Sequence, residues 1–201
     1  MHQYATDSEE KKLVLLILAL LSIFATWLLY ELITLISTVT DLSAPWWLEI
    51  PSVLTFYGLS YEIFDKWLWK KQIVRKLGLV RIPNLNGVWK GYLMSSHDQF
   101  KEKTEASIKI LQSWTEIEIA QETKASKGRS FVATIHTKDR DSQRLFFMYQ
   151  NTPEVDADPS MHQHIGSAQL ILNSDKKILS GDYYNCGRDR LTWGKLHFER
   201  S

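Results

Sequence analysis

"LSGDYYNCGRDRLTWGKLHFER", residues 179–200, is the stretch whose reading decides the fold. Its side chains alternate. Arg190, Thr192, Gly194, Leu196 and Phe198 fall on one line, and Leu191, Trp193, Lys195, His197 and Glu199 fall on the other. A period of two marks a β-strand with one covered and one wet face, because successive side chains of a pleated strand point to opposite sides. Residues 177–185 alternate in the same way, and a short glycine-containing turn joins the two runs.

Toward the N-terminus the alternation continues back to Arg81, Ile82 and Pro83. Eight strands are expected, at about 85–95, 104–112, 114–121, 129–137, 143–150, 164–172, 177–185 and 190–200. The connections are rich in turn formers: "KASKG" at 124–128, "KDRD" at 138–141 and "NTPEVDADPS" at 151–160. Short consecutive strands imply an antiparallel meander, and eight of them closed into an up-and-down barrel leave no free edge. Ile108, Ile110, Ile117, Ile119, Leu170, Leu172, Leu196 and Phe198 make one apolar face, and Lys109, Glu116, Glu118, Lys195 and His197 lie on the other. A membrane-spanning barrel would need an apolar outside, so this barrel is a soluble one with an apolar inside. "NGVWKGY" at 86–92 sets Gly87 and Trp89 at the start of the first strand. That Gly-x-Trp resembles the lipocalin and fatty-acid-binding group, in which the tryptophan closes the floor of a compact barrel.

The first third of the chain obeys different rules. The protein has 201 residues, a formal charge of +1, eight tryptophans and one cysteine, Cys186. One cysteine excludes an intrachain disulfide. Mean hydropathy is slightly negative, but the average hides an apolar run. Residues 13–30, "LVLLILALLSIFATWLLY", hold no charge, and only Glu31 interrupts the run before Thr40. A helix of about 24 residues rises roughly 36 Å, enough to cross a bilayer core. A second span is expected at about 46–69, bracketed by Trp46, Trp47, Trp67 and Trp69 in the manner of interfacial aromatics, with one span followed by an interfacial helix as the alternative, because its uncharged stretch, 50–61, is only twelve residues long. Lys11 and Lys12 precede the first span, and Lys70, Lys71, Arg75 and Lys76 follow the second, so the positive-inside rule puts both ends of a helical hairpin in the cytoplasm. Glu31, Glu62 and Asp65 lie within or beside the spans, and Glu62 can pair with Lys66 one turn on. The expected organisation is an N-terminal tail (1–12), a two-helix transmembrane hairpin with a basic flank (13–76) and a cytosolic barrel (77–201).

Catalytic signatures are missing. There is no Gly-x-Ser-x-Gly, P-loop or Rossmann fingerprint. His162 and His164 lack further obvious metal ligands, and Cys186 lacks a histidine at a spacing that suggests a nucleophile. The expected function is binding, with no cofactor and no metal. The inward line offers a place for it. Thr192, Gly194, Gly181 and Ala168 lack bulk on adjacent strands, and Arg190 and Arg188 sit by the turn. Guanidiniums match phosphate bidentately and tyrosine faces stack on bases, so this end of the barrel suits an anionic, aromatic ligand. A surface turn pairing these arginines with Asp182 or Asp189 fits the same residues.

Taken together, the two-helix N-terminus, "YEIFDKWLWKK" (61–71), "IPNLNGVWKGYLMSS" (82–96) and residues 179–200 resemble the two-transmembrane, β-strand-rich effectors of bacterial CBASS systems, cyclic-oligonucleotide-based antiphage signalling. The resemblance covers nearly the whole chain. It implies a barrel that binds a cyclic nucleotide, in particular a cyclic dinucleotide, made by a partner nucleotidyltransferase. It implies further that binding promotes oligomerisation, and that the assembled helices disrupt the bacterial inner membrane and kill the infected cell. The family's closing motif falls on Tyr183, Tyr184, Asn185, Arg188, Arg190, Thr192 and Gly194. With Trp89, Lys90 and Tyr92 on the first strand, these are the expected ligand residues. Trp193 departs from the pattern, which has a smaller or basic residue there. The partners so implied are the nucleotide, membrane lipid and further copies of the chain, with no DNA or RNA. A membrane-anchored, lipocalin-like carrier of an apolar ligand is the other class, and it would need an apolar cavity.

Overall fold

The computed structural model describes residues 1–40, 53–138, 143–158, 161–186 and 191–201. Arg188 and Arg190 lie outside the described residues, as do Trp46, Trp47 and the start of the expected second span. The chain forms two compact units, one of Met1–Ser8 with Ile82–Ser201 and one of Glu9–Arg81.

The first unit is the barrel. Two short strands, β1 (His2–Gln3) and β2 (Ala5–Thr6), precede eight longer ones: β3 (Gly87–Ser95), β4 (Thr104–Gln112), β5 (Glu116–Thr123), β6 (Ser126–His136), β7 (Gln143–Pro153), β8 (His164–Leu172), β9 (Ile178–Cys186) and β10 (Leu191–Arg200). The eight pair antiparallel in sequence order, β10 returns to β3, and β5 meets β6, so the sheet closes on itself. The expected inward residues are buried: Ile108, Ile110, Ile117, Ile119, Leu170, Leu172, Leu196 and Phe198. One end is sealed by Trp89, which is fully buried. Its indole N–H donates to the Leu85 carbonyl at 3.0 Å, and the Arg200 guanidinium covers its ring at 4.5 Å. The Gln112 side chain anchors the segment beneath, accepting from Leu85 N at 2.8 Å and donating to Pro83 O at 3.2 Å.

The N-terminal residues depart from the expected tail. The β5–β6 pairing is short, running from Ala120–Arg129 to Glu122–Lys127, and a bulge between Ser130 and Val132 bends β6. The opening below this pairing holds the start of the chain. β1 pairs antiparallel with β5, His2 opposite Ile117, and β2 pairs parallel with β6, Thr6 opposite Ile135. Backbone groups of both strands beyond the end of the β5–β6 ladder thereby gain partners. Side chains fix the strap in place. Tyr4 is buried and donates to Trp114 O at 2.7 Å, and His2 Nε2 lies 2.9 Å from Ser130 Oγ. The Asp7 carboxylate accepts from Thr137 N at 2.7 Å, Thr137 Oγ1 at 3.0 Å and Lys138 N at 3.2 Å. Burial pushes the Asp7 carboxyl up, but these hydrogen bonds outweigh it and hold the group below its ordinary value.

The second unit carries α1 (Glu10–Thr40). At 31 residues it is longer than the expected helix of about 24 and rises about 46 Å. By length and composition it can cross a membrane. Its hydroxyls bond within the helix, Ser22 Oγ to Leu18 O at 2.6 Å and Thr26 Oγ1 to Ser22 O at 2.8 Å, as suits polar groups inside an apolar run. Leu16, Leu20, Phe24, Trp27 and Leu28 stay exposed, which a lipid surroundings would cover. α2 (Val53–Lys66) packs against α1, and Glu62 pairs with Lys66 at 2.6 Å. Its 14 residues are fewer than a span needs, so the described residues contain one helix long enough to cross and not a clear hairpin. A short helix, α3 (Gln72–Lys76), carries Arg75 and Lys76 in its last turn.

Candidate ligand-binding site

Opposite the Trp89 floor, each strand turns different chemistry inward. Along β5 the inward line passes from Ile117 and Ile119 to Gln121 and Thr123. Along β7 it passes from Leu145 and Phe147 to Tyr149 and Asn151, and along β9 from Leu179 to Tyr183 and Asn185. On β6, β8 and β10 the same end holds Ser126, His164 and Thr192. Gln121, Thr123, Tyr149, Asn151, Tyr183 and Asn185, with Ser126, His164 and Thr192, line a cavity of about 550 Å³, within the range of small-molecule sites.

A hydrogen-bonded chain crosses the cavity wall. Tyr149 Oη donates to Asn185 Oδ1 at 2.8 Å, and Asn185 Nδ2 donates to Thr192 Oγ1 at 3.3 Å. Tyr149 and Asn185 meet because Gly166 stands between them on β8. A Cβ there would fall 2.5 Å from Tyr149 Cζ and would overlap Asn185 Oδ1. Gly194 makes room for Tyr183 in the same way, since an added Cβ would lie 2.5 Å from Tyr183 Cε1. The missing bulk at Gly194 is therefore occupied by a tyrosine ring and is not itself the cavity. Gly181 leaves no hole either, because the backbone of Gln169 fills the space. Burial, with Tyr183 close by, pushes the Tyr149 phenol above its ordinary value. Burial also raises Tyr183, and Asp98 adds to this while a hydrogen bond with Ser95 opposes it. Both phenols are hydrogen-bond donors at neutral pH.

Of the residues expected from sequence, Tyr183, Asn185 and Thr192 meet at this cavity. Tyr184 does not: it is 55% exposed against 6% for Tyr183, because neighbours in a strand face opposite sides. Lys90 is exposed on the outer face. Tyr92 is on that face too, its ring 5.3 Å from that of His197 and capped by Lys103 at 4.4 Å. Trp89 points inward but at the closed end. Arg188 and Arg190 belong to the connection from Cys186 to Leu191, which pair with each other, so the connection lies between Asn185 and Thr192 in sequence. Sequence reasoning missed Tyr149, Gln121, Ser95 and Asn151. Their signal was the change from aliphatic to polar residues along an inward line.

Among the described lining residues there is no Lys or Arg, and Asp98, Glu102 and Glu122 are acidic. The Asp98 carboxylate is occupied by Phe100 N at 3.1 Å and Glu102 N at 2.9 Å. His162 and His164 stand at the rim, with His164 Nδ1 2.8 Å from His162 O. No cluster of three His, Cys, Asp or Glu side chains among the described residues is placed to hold a metal ion.

Residues 80–200, which include every residue of this cavity, match the family described as "Cap15, cyclic dinucleotide receptor domain". The chain belongs to the Cap15 family. Residues 12–70 match "Cap15, TM helices", which associates the apolar helix with the membrane. The chain is 31% identical over 147 residues to the CD-NTase-associated protein 15 of Yersinia aleksiciae, covering 72% of this chain and 67% of that protein. The resemblance drawn from residues 61–71, 82–96 and 179–200 pointed to this Cap15 group.

Proposed function

We propose that this Cap15 protein is a CBASS effector whose barrel binds a cyclic dinucleotide in the cavity walled by Tyr149, Tyr183, Asn185 and Thr192. The observation that carries the reading is the placement of those groups, neutral donors and acceptors at one end of a barrel that matches a cyclic dinucleotide receptor domain throughout. Tyrosine and amide groups suit sugar hydroxyls and bases. Two phosphates also need cations, and Arg188 and Arg190, between the strands that carry Asn185 and Thr192, are the proposed source. A carrier of an apolar ligand is disfavoured, because the inward lines turn polar where the cavity opens. The proposed role is binding, not catalysis.

Binding is the proposed trigger for oligomerisation and for disruption of the inner membrane. The membrane segment is proposed to be a two-pass hairpin with both ends cytoplasmic, supported by the basic residues at 11–12 and 70–76 and by the α1–α2 packing. The partner enzyme is a nucleotidyltransferase that makes the ligand. A ligand can drive assembly only by binding the assembled state more tightly, and tethering to a plane raises effective concentration so that a modest preference is enough.

Titration of the full chain in detergent micelles with cyclic dinucleotides and with fatty acids tests the ligand class. Arg188→Ala and Arg190→Ala should each weaken cyclic dinucleotide binding about ten- to a hundredfold, at roughly 1.5–3 kcal/mol per charged hydrogen bond. Fatty acid binding in place of nucleotide binding would overturn the reading. Co-expression with a matched synthase should depolarise cells. Ala25→Arg in α1 should abolish that and spare nucleotide binding; depolarisation by this variant would reduce the helices to an anchor.

A further inference from the structure

The polar groups of the cavity differ in whether the protein itself uses them. Tyr149, Asn185 and Thr192 bond one another, and Tyr183 bonds Ser95. Gln121 stands apart. Its Nε2 is buried and finds no hydrogen-bond partner among the described residues, although the side chain lines the cavity. A buried donor left unpaired is costly, so a native protein that keeps one places it where something else accepts the bond.

Its surroundings suggest what that partner is. Gln121 on β5 stands opposite Gly128 on β6, and Gly128 stands opposite Asn151 on β7. Two amide side chains thus occupy one rung with a glycine between them. A Cβ on Gly128 would lie 3.5 Å from each of Gln121 Cβ, Asn151 Oδ1 and Tyr149 Cδ2. The absent side chain leaves a notch bordered by the Asn151 amide oxygen, the Gln121 Cβ and the edge of the Tyr149 ring. Primary amides present a donor and an acceptor side by side, the pattern that matches the edge of a nucleobase. The phenol and amide of Tyr149 and Asn185 are bonded to each other, whereas Gln121 Nε2 is a buried donor without a partner among the described residues, on a side chain that lines the cavity.

We infer that Gln121 is a specificity-determining residue that donates from Nε2 to a ring nitrogen or carbonyl oxygen on one base of the bound cyclic dinucleotide, beside the Asn151 amide. The inference rests on the cyclic dinucleotide reading of the cavity. A site built to pair with a hydrogen-bonding group discriminates strongly against ligands that cannot supply it, so the choice between bases is concentrated at this notch.

The test measures dissociation constants of the full chain in detergent micelles for cyclic dinucleotides of one ring size and linkage that differ only in their bases: purine–purine, purine–pyrimidine and pyrimidine–pyrimidine. Gln121→Leu should weaken the tightest ligand about ten- to a hundredfold and the others much less, flattening the discrimination. Gln121→Glu, which sets an acceptor against an acceptor, should weaken the same ligand at least as much. The unliganded Leu variant should melt no lower than wild type, because the amide it loses has no partner to give up. Retained discrimination, or an equal loss for every ligand, would overturn the assignment. So would a lower melting point in the unliganded Leu variant, which would mark Gln121 as a structural group. If wild type binds no member of the panel, the functional reading falls first and the base contact with it; if wild type binds and Gln121→Leu still discriminates, only the base contact falls.

Discussion

On β5, Ile117 and Ile119 face inward at the Trp89 end and Gln121 and Thr123 face inward at the cavity end; on β7, Leu145 and Phe147 give way to Tyr149 and Asn151 over a single strand length. Floor and mouth share strands, pleat and register. What separates them is only which residue types occupy the inward line. At the floor every group is satisfied by packing, so stability is concentrated there. At the mouth, groups are satisfied by one another, by solvent or by a ligand, so function can vary there at small cost to the fold. The two ends should therefore respond to substitution in different currencies, one in unfolding and one in affinity.

Removing the Trp89 ring should have the largest effect. Trp89→Ala empties a fully buried site beneath Arg200 and should cost about 3–5 kcal/mol in denaturant unfolding. Nucleotide affinity of the fraction that remains folded should be nearly unchanged. An affinity loss without destabilisation would break the division between the two ends. Next, Gly166→Val forces a side chain into the Tyr149 ring and the Asn185 amide. Overpacking of this kind costs ~1–3 kcal/mol, and nucleotide binding should fall more than tenfold because the wall of the cavity must shift. Unaltered binding would show that the Tyr149–Asn185–Thr192 chain is not part of the site.

A smaller effect is expected at the strap. Asp7→Ala removes the acceptor of three hydrogen bonds and should cost about 1–2 kcal/mol. The sign of the pH dependence follows from the depressed carboxyl. Its contribution is complete above the ordinary value of 3.8 and is lost as pH falls through the lower folded value. Wild type and variant should thus converge in stability under strong acid and differ at neutral pH; a constant gap across that range would mean the carboxylate is not the stabilising group. Least affected should be Tyr184→Ala, within about 0.5 kcal/mol in stability and with unaltered affinity, because its ring is exposed on the outer face. A strong affinity loss there would move the ligand outside the barrel.

Strands were legible because a period of two survives in the sequence wherever one face is covered. β4 and β8 fall at the expected 104–112 and 164–172. β6 begins at Ser126 instead of 129 because the turn is tighter than its composition suggests: the Thr123 hydroxyl accepts from Ala125 N at 3.3 Å and Ser126 N at 3.1 Å, and pairing resumes at once. β1 and β2 were invisible for a physical reason. Two residues cannot display a period, and what holds them is pairing with β5 and β6, far away in sequence. At the site, Tyr183, Asn185 and Thr192 could be placed by alternation alone. Tyr184 and Lys90 could not be grouped with them by proximity in the chain, since a neighbour in sequence lies on the far side of the sheet. Gln121 carried a visible signal, a polar residue on an otherwise aliphatic line, but its lack of a partner is a property of the folded chain only.

The strap has a consequence of parity. His2 and Thr6 are hydrogen-bonded into the same barrel as β3 to β10, while α1 and α2 lie between them in the chain. Whatever lies between two segments of one folded body must leave a membrane on the face by which it entered. Any excursion through the bilayer from this barrel therefore has an even number of crossings, and a lone traverse by α1 would tear β1 and β2 out of their seam. If α1 crosses a bilayer while β1 and β2 stay paired, a return leg must follow, and the two-pass hairpin proposed above would supply the smallest one.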